Sequence, residues 1–580
     1  MGQGRLKGRK GAISRAVGVC LMLAALACAS TSAHAQGQFP SSADPALVPR
    51  QVQPEPEAPQ PQGPIIEKPR EVIQAPPGAD QIRFVLSKVE IDGSTVYTPE
   101  QLRQFYASYL GTEISLLTVY QIAEAIGAKY GEDGYILSLA AVPAQRIKDG
   151  VVRIQVIEGY VDKIVVEGDA IKDSERIKRI AQKITTFRPL KNDELERYLL
   201  LINDIPGVSA RGVLKPSATP GASDLVLVGE RKRFDGYTSA DNRGTRYVGP
   251  YQFQLGGAAN GVLGLSESTG LRGIITSQTN ELKMVDFDHD EPVSDEGTRV
   301  KLQLQASEVQ PGYTLASQEI TSSQYYGAFG GTHPIIRSRT ENWSVRSRFD
   351  MRNVTVEQFD GAQLVSKDRI RAFRVATSYD IVDTAMGAPA VSLFGMEVGQ
   401  GVNLFDATPT GSPNLSRPDG HSQFTKMNFE GQRLQTLGGG FNLLVAAIGQ
   451  YSFSGLLASE EFAFGGAQYG RGFDPAELVG DQGMAAKAEL QWGQSLSDSF
   501  LRDYQFYIFF DAGAVWQIQP LPGTKWASSA TSTGFGVRLN VLNNYSGYLE
   551  VGKPVTGSVQ ALGAEDGKNA RVFFGAVARF

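Results

Sequence analysis

The sequence predicts a mixed fold: two small α+β modules in tandem, followed by a sixteen-stranded antiparallel transmembrane β-barrel. Three observations predict it. The C-terminal half alternates apolar and polar residues over long segments, such as 342–352 and 438–453. A soluble strand averages about 5–6 residues, whereas a tilted membrane-spanning strand needs about 9–11. Between residues 81 and 232 the order strand–helix–helix–strand–strand occurs twice, an internal repeat. Beyond the N-terminus no run of about 18 apolar residues occurs, so helical spans are not expected.

The N-terminus reads as a targeting signal. Arg5, Lys7, Arg9, Lys10 and Arg15 form a basic region, "AVGVCLMLAALACA" a short apolar core, and Ala33-His34-Ala35 an A-x-A cleavage site. Residues 1–35 are thus expected to be removed, leaving Gln36 first. The core is shorter than the roughly 20 residues of a spanning anchor. A lipoprotein reading would use Cys28, but Ala25-Leu26-Ala27 is a poor lipobox. Cys20 and Cys28 are the only cysteines and both lie in the signal. The mature chain then has no disulfide, cysteine nucleophile or thiolate metal site. A net charge of -5 argues against a general nucleic-acid binder, which carries a basic field.

Residues 36–80 form an N-terminal segment and a proline-rich linker, extended and semi-rigid by composition. Residues 44–50, "DPALVPR", have room for a turn or two of helix. The first module, 81–158, opens with the strand and turn of "FVLSKVEIDGSTVYT". A helix begins at Pro99 and runs toward Gly111, with proline in its first turn. A second helix is "LLTVYQIAEAIGAKYGEDGY", and "ILSLAAVPAQRI" and "VVRIQVIEG" are strands. The second module, 159–232, repeats this with "VDKIVVEGD", the helices "SERIKRIAQKI" and "KNDELERYLLLINDIPGV", and the strands "SARGVLKPS" and "SDLVLVGER".

From 233 to 580 the period is two. Val300, Leu302, Leu304 and Ala306 oppose Arg299, Lys301, Gln303 and Gln305. Ala486, Ala488, Leu490 and Trp492 oppose Lys487, Glu489 and Gln491. Phe535, Val537, Leu539 and Val541 oppose Arg538 and Asn540. A membrane barrel puts the apolar parity to lipid and the polar parity to its lumen. About sixteen such segments fit, an even number as bacterial barrels require, and a barrel of that size encloses water rather than a packed core. At the C-terminus Val572, Phe574, Ala576, Ala578 and Phe580 share one apolar parity, which resembles the assembly signal of outer-membrane barrels with Phe580 as its last residue.

The tandem units, with V-x-V-x-E-G strand ends and the stretches "KYGEDGY" and "DIPGV", resemble POTRA domains. Signal, proline-rich linker, two POTRA domains and a sixteen-stranded barrel together resemble the two-partner secretion transporters, the TpsB or ShlB/FhaC/HecB type, over nearly the whole mature chain. The resemblance implies an outer-membrane pore with its POTRA domains in the periplasm. Its partner would be an unfolded exoprotein of the TpsA type: adhesin, haemolysin or contact-dependent toxin. Outer-membrane lipid surrounds the barrel, and the barrel-assembly machinery acts through the C-terminal strand. No cofactor, nucleotide hydrolysis or nucleic acid is implied. A barrel-assembly and insertion factor of the same superfamily is the alternative. Larger relatives of that type carry more POTRA domains, and the short periplasmic part here argues against it.

One loop stands out on this reading. Residues 456–482, between the eleventh and twelfth strands, contain "GRGF", which resembles the [V/Q/Y]-R-G-[F/Y] tip of a loop that folds back into the barrel in this superfamily. Arg471, Gly472 and Phe473 would form the tip. Gly470 stands where valine is usual, which is expected to loosen it. The family's partner motif, F-x-D-x-G on the thirteenth strand, matches Phe509, Asp511 and Gly513. Parity agrees: Phe506, Ile508 and Phe510 share the lipid side, so Asp511 faces the lumen. At about 4 Å and an effective dielectric near 20, the attraction of an Arg471–Asp511 pair is roughly 4 kcal/mol, much of it offset by desolvation. Flanking glycines would let the loop pass close to the wall. Arg538, one strand further on, is the competing partner for Asp511.

Other stretches carry less. "DFDHDEP", residues 286–292, sets His289 among carboxylates, but the spacing matches no defined metal site, and a solvated acidic loop is the expectation. The remaining mature histidines, His333 and His421, belong to no H-E-x-x-H or G-x-S-x-G signature. An outer-membrane enzyme such as a phospholipase therefore lacks a catalytic set here, and a passive porin would have no use for two periplasmic modules.

Overall fold

The computed structural model describes residues 40–44, 46–48, 66–67, 75–169, 171–219, 221–496, 500–520 and 525–580. The signal expected over 1–35 and most of the proline-rich linker lie outside the described residues. One linker strand, β1 (Ile66–Glu67), is described.

The first module contains β2 (Arg83–Val85), β3 (Lys88–Asp92), α1 (Pro99–Arg103), β4 (Glu113–Ser115), α2 (Leu116–Glu132), β5 (Leu139–Ala141) and β6 (Val151–Ile157). Strand β6 is central, parallel to β3 and antiparallel to β5. Helix α2 starts where the Ser115 hydroxyl accepts the Thr118 amide at 3.2 Å, an N-cap worth about 1 kcal/mol. Its face of Val119, Ile122, Ala123, Ile126 and Tyr130 is buried against the sheet. Each Val or Ile so buried contributes about 1.5–3 kcal/mol. The helix expected from Pro99 to Gly111 is shorter: α1 ends at Arg103 and a 3-10 turn follows at Ala107–Tyr109. The amides of Phe105 and Tyr106 already bond three residues back. That tighter winding turns both aromatics into the module's core.

The final strand of this module ends on a carboxylate with a structural role. Glu158 accepts the amides of Thr95 at 2.7 Å and Val96 at 2.9 Å, and the Tyr130 hydroxyl at 2.7 Å. Burial acts to raise its pKa, but these bonds and that from the Thr95 hydroxyl outweigh burial and hold it below 4.5. A carboxyl depressed on folding stabilises the module above its unfolded pKa, and that contribution is lost as pH falls through the folded value. Glu158→Gln is therefore expected to speed hydrogen exchange at the Thr95 and Val96 amides in the whole protein at pH 7. The difference from wild type should shrink as pH falls below 4.5. A pH-independent difference would contradict this assignment.

The second module repeats the plan with β7 (Tyr160–Glu167), α3 (Glu175–Gln182), α4 (Asn192–Asn203), β8 (Val208–Pro216) and β9 (Ala222–Arg231). Its sheet order is β1-β8-β9-β7, with linker strand β1 running parallel to β8 at Gly212 and Val213. Helix α4 buries residues on several sides, Leu195, Tyr198, Leu199, Leu200, Leu201 and Ile202. The cause is a second neighbour. The Tyr198 hydroxyl bonds Glu296 at 3.2 Å, and Asp204 just beyond the helix pairs with Arg337 through bonds of 2.7 and 2.8 Å. Both partners belong to one end of the barrel, so α4 lies between its own sheet and that end.

The barrel is closed, with sixteen antiparallel strands in sequence order. They are β10 (Phe234–Asp241), β11 (Gln252–Asn260), β12 (Ser268–Thr276), β13 (Leu282–Pro292), β14 (Arg299–Val309), β15 (Thr321–Arg337), β16 (Glu341–Gln358), β17 (Gln363–Asp383), β18 (Ala390–Gly401), β19 (Thr425–Gly438) and β20 (Phe441–Ser452). A loop hairpin, β21 (Phe462–Phe464) and β22 (Leu478–Gly480), interrupts the series without joining the wall. The wall resumes with β23 (Gln482–Ser495), β24 (Leu501–Trp516), β25 (Ala527–Val541), β26 (Tyr545–Thr556) and β27 (Arg571–Arg579). Strand β27 closes against β10, from Tyr237 opposite Arg579 to Asp241 opposite Gly575.

Burial follows the parity read from the sequence. Phe506, Ile508, Phe510, Phe535, Leu549 and Phe574 lie exposed on the outer face, while Asp350, Lys426, Glu489, Asp511 and Glu550 are buried inside. Large apolar groups outside and charges inside invert the order of a soluble sheet and match a lipid-facing wall. The stretch expected as a solvated acidic loop is instead part of β13. There His289 lies opposite Leu302 of β14 and its Nδ1 is 2.9 Å from the Thr269 hydroxyl. Lumen-facing strands can carry acidic groups without a loop because the lumen solvates them.

Candidate functional site: a lock inside the barrel

The connection between β20 and β23 folds into the lumen. Its tip lies on the wall made by β23 to β26. Arg471 is 2% exposed and Asp511 is 0% exposed, so neither charge reaches bulk water. Asp511 accepts the Arg471 backbone amide at 2.9 Å, Nε at 3.1 Å and Nη2 at 2.8 Å. Nη1 turns to Glu489 on β23, and Glu550 on β26 lies 3.8 Å away. The guanidinium lies 3.6 Å from the centroid of the Phe509 ring. A planar cation with both forked bonds and a stacked ring is chemistry that lysine does not reproduce.

Two further arginines balance the three carboxylates. Arg538 does not take Asp511; it binds Glu489 at 2.6 Å and lies over the Tyr507 ring at 3.8 Å. Arg243, just after β10, donates to Glu550 at 2.6 Å and to the Arg471 carbonyl at 3.5 Å. Arg471, Arg243 and Arg538 thus face three carboxylates, with Lys487 opposite Asp511 on β23; Arg471 and the three carboxylates are buried, where an unpaired charge is costly.

The glycines have separate physical reasons. A Cβ on Gly472 would lie 2.8 Å from the Lys553 carbonyl carbon and 2.9 Å from the Pro554 nitrogen, so the loop backbone touches the wall there. Gly470 has φ +81°, and a Cβ on it would meet the Phe464 ring at 2.7 Å. Gly470 is buried, and glycine fits there a backbone that valine would strain. On β24, a Cβ on Gly513 would lie 2.2 Å from the Phe464 ring, so Gly513 makes the seat for that ring. Phe473, 1% exposed, packs beside Phe464 with ring centroids 6.0 Å apart. Each residue of the F-x-D-x-G stretch therefore meets the loop: Phe509 by its ring, Asp511 by charge, Gly513 by the space it leaves.

Phe580 sits away from this site, at the barrel seam. Its amide and carbonyl exchange hydrogen bonds with Gly236 at 2.9 and 3.0 Å, and its ring covers that glycine. The N-terminal segment also reaches the loop. Residues 41–43 form a 3-10 turn, and Ser41, Ala43, Ala46, Leu47 and Val48 are buried. The Ser41 hydroxyl donates to the Glu477 carbonyl of the loop at 3.0 Å. Beneath the seated loop the wall leaves a charged cavity of about 1850 Å³, lined by Asp286, Arg348, Lys487, Gln491 and Arg538 among others.

Sequence reasoning missed Glu550, Arg243 and Phe464 as members of this site. Parity places Glu489 in the lumen, but only the register of β23 on β24, with Lys487 opposite Asp511 and Glu489 opposite Phe509, sets it beside Arg471.

A lipid-faced sixteen-stranded barrel with tandem α+β modules at one end and a loop locked in its lumen defines an outer-membrane β-barrel protein. A family model of the haemolysin secretion/activation protein ShlB/FhaC/HecB matches residues 221–539, and one of the ShlB-type POTRA domain matches 84–159. The heme/hemopexin transporter protein HuxB of Haemophilus influenzae (strain 86-028NP) is 26% identical over 83% of this chain and 85% of its own length. The outer membrane transporter CdiB of Dickeya dadantii (strain 3937) is 24% identical over 84% of this chain and 86% of its own. Among solved structures, CdiB from Escherichia coli superposes with a TM-score of 0.70 at 18% identity, covering 88% of this chain and 93% of that one. The chain belongs to the ShlB/FhaC/HecB family of two-partner secretion transporters. It acts in the outer membrane, with its POTRA domains in the periplasm, and serves a secreted exoprotein.

Proposed function

We propose that the Arg471 loop and the N-terminal segment keep the resting pore narrow, and that export proceeds by their displacement. The observation that carries this reading is the Ser41–Glu477 contact, which joins the segment to the locked loop. An unfolded exoprotein binds the POTRA domains as an added strand. It threads the charged lumen and folds outside, and that folding supplies direction without nucleotide hydrolysis or other catalysis. On the β8 edge the place opposite Gly212 and Val213 is already taken by linker strand β1, so capture there requires the linker to yield. The exported partner is an adhesin, haemolysin or toxin of the TpsA type. Lipid holds the outer face, and the barrel-assembly machinery reads the C-terminal strand ending at Phe580.

Planar-bilayer conductance of the refolded protein, with and without residues 36–77, tests the reading. The full chain is expected to give a small, flickering conductance that grows on deletion. A large, steady conductance from both proteins would mean that the segment closes nothing.

A further inference from the structure

The in-folded loop is gripped at a second place, where its hairpin leaves the wall. Glu460 and Glu461 immediately precede β21, and Asp481 immediately follows β22. Glu460 is 3% exposed and pairs with Arg374 of β17 at 2.8 Å and Lys426 of β19 at 2.7 Å. Arg374 is itself held by Asp350 of β16 at 2.6 Å. Arg417, from the β18–β19 connection, binds Glu461 at 3.0 Å and also Asp481, so one guanidinium ties both stems. The Gln450 side chain of β20 does the same through its amide, donating to the carbonyls of Glu460 and Asp481 at 3.0 Å each.

This base cluster uses a different arc of the wall, β16 to β20, from the tip cluster on β23 to β26. A hairpin fixed only at its tip could approach from many angles. One fixed at both stems projects in a single direction, toward Asp511. We infer that Glu460, with Arg374 and Lys426, is a positioning residue for the lock: it aims the hairpin so that Arg471 reaches Asp511. This rests on the proposed role of the Arg471 tip in closing the pore.

The test is single-channel conductance of full-length protein in planar bilayers for Glu460→Gln, Arg471→Ala and the double variant, with heat-modifiable gel mobility confirming the folded barrel. Glu460→Gln removes two charge-assisted contacts and is expected to raise the ratio of wide to narrow conductance about tenfold. Because it acts through Arg471, it should add less than about twofold in the Arg471→Ala background, whereas independent sites would multiply. Glu460→Asp, which keeps the charge, should recover part of the closure. Should Glu460→Gln fail to fold, Lys426→Met reads the same clamp from the wall side and carries the same expectation. Wild-type conductance from these variants, or full multiplication in the double variant, would overturn the inference. If Arg471→Ala itself left conductance unchanged, the reading of the tip would fail instead, a result distinguishable from the others.

Discussion

Arg471→Ala is expected to lower export of the cognate exoprotein by at least about tenfold, while the barrel stays inserted and heat-modifiable on gels. The substitution takes from Asp511, Glu489 and Glu550 the guanidinium they share, while Arg538 and Arg243 stay engaged with Glu489 and Glu550. Asp511, 0% exposed, keeps a backbone amide but loses both side-chain bonds. Breaking a buried pair by removing one partner costs about 3–5 kcal/mol, enough to shift a seated loop to an unseated one by more than a hundredfold. The barrel does not share that cost, because its ladder closes through sixteen strands without the loop. An unseated loop leaves the pore wide but has no fixed place to return to, so the ordered displacement and reseating by which export proceeds are lost. Arg471→Lys should recover only part of the function, since an ammonium cannot fork across Asp511 or stack on Phe509. Normal export from Arg471→Ala would remove the role assigned to the tip.

Much of this site was legible in the sequence because strand parity and a short motif carry local information. Alternation around Asp511 put it in the lumen, and the glycine-flanked arginine marked the tip. Choosing between Arg471 and Arg538 as the partner of Asp511 required register. Arg538 lies opposite Tyr548 and beside Gln505 across its two neighbouring strands, a position from which its guanidinium reaches Glu489. The base clamp was hidden for a similar reason. Glu460, Arg374 and Lys426 are far apart in the chain, and each alone is one more lumen charge. Only the curvature that brings β17 and β19 to one side of the hairpin joins them. The short α1 and the strand at His289 were misjudged because propensity and composition speak to exposed segments, and both stretches are fixed by what they pack against.

Gly472→Val should reproduce the loss of export while leaving every charge of the lock in the chain. The new Cβ would lie 2.8 Å from the Lys553 carbonyl carbon, 2.9 Å from the Pro554 nitrogen and 2.9 Å from the Ser532 Cβ. Two of these atoms are backbone of the wall, held in the ladder between β25 and β26, so no side-chain rotation relieves the clash. Overpacking of this kind costs about 1–3 kcal/mol, and the loop is the cheaper part to move. Lifting the tip by the width of a methyl group would draw Nε and Nη2 away from Asp511, and hydrogen bonds weaken steeply with distance and angle. The expected result is therefore a fall in export approaching that of Arg471→Ala, with flickering wide openings in the bilayer. The comparison separates two causes that the site combines. If Gly472→Val exports normally, the ion pair seats the loop without close backbone contact. If it fails as Arg471→Ala does, the charge can act only because glycine lets the chain reach the wall.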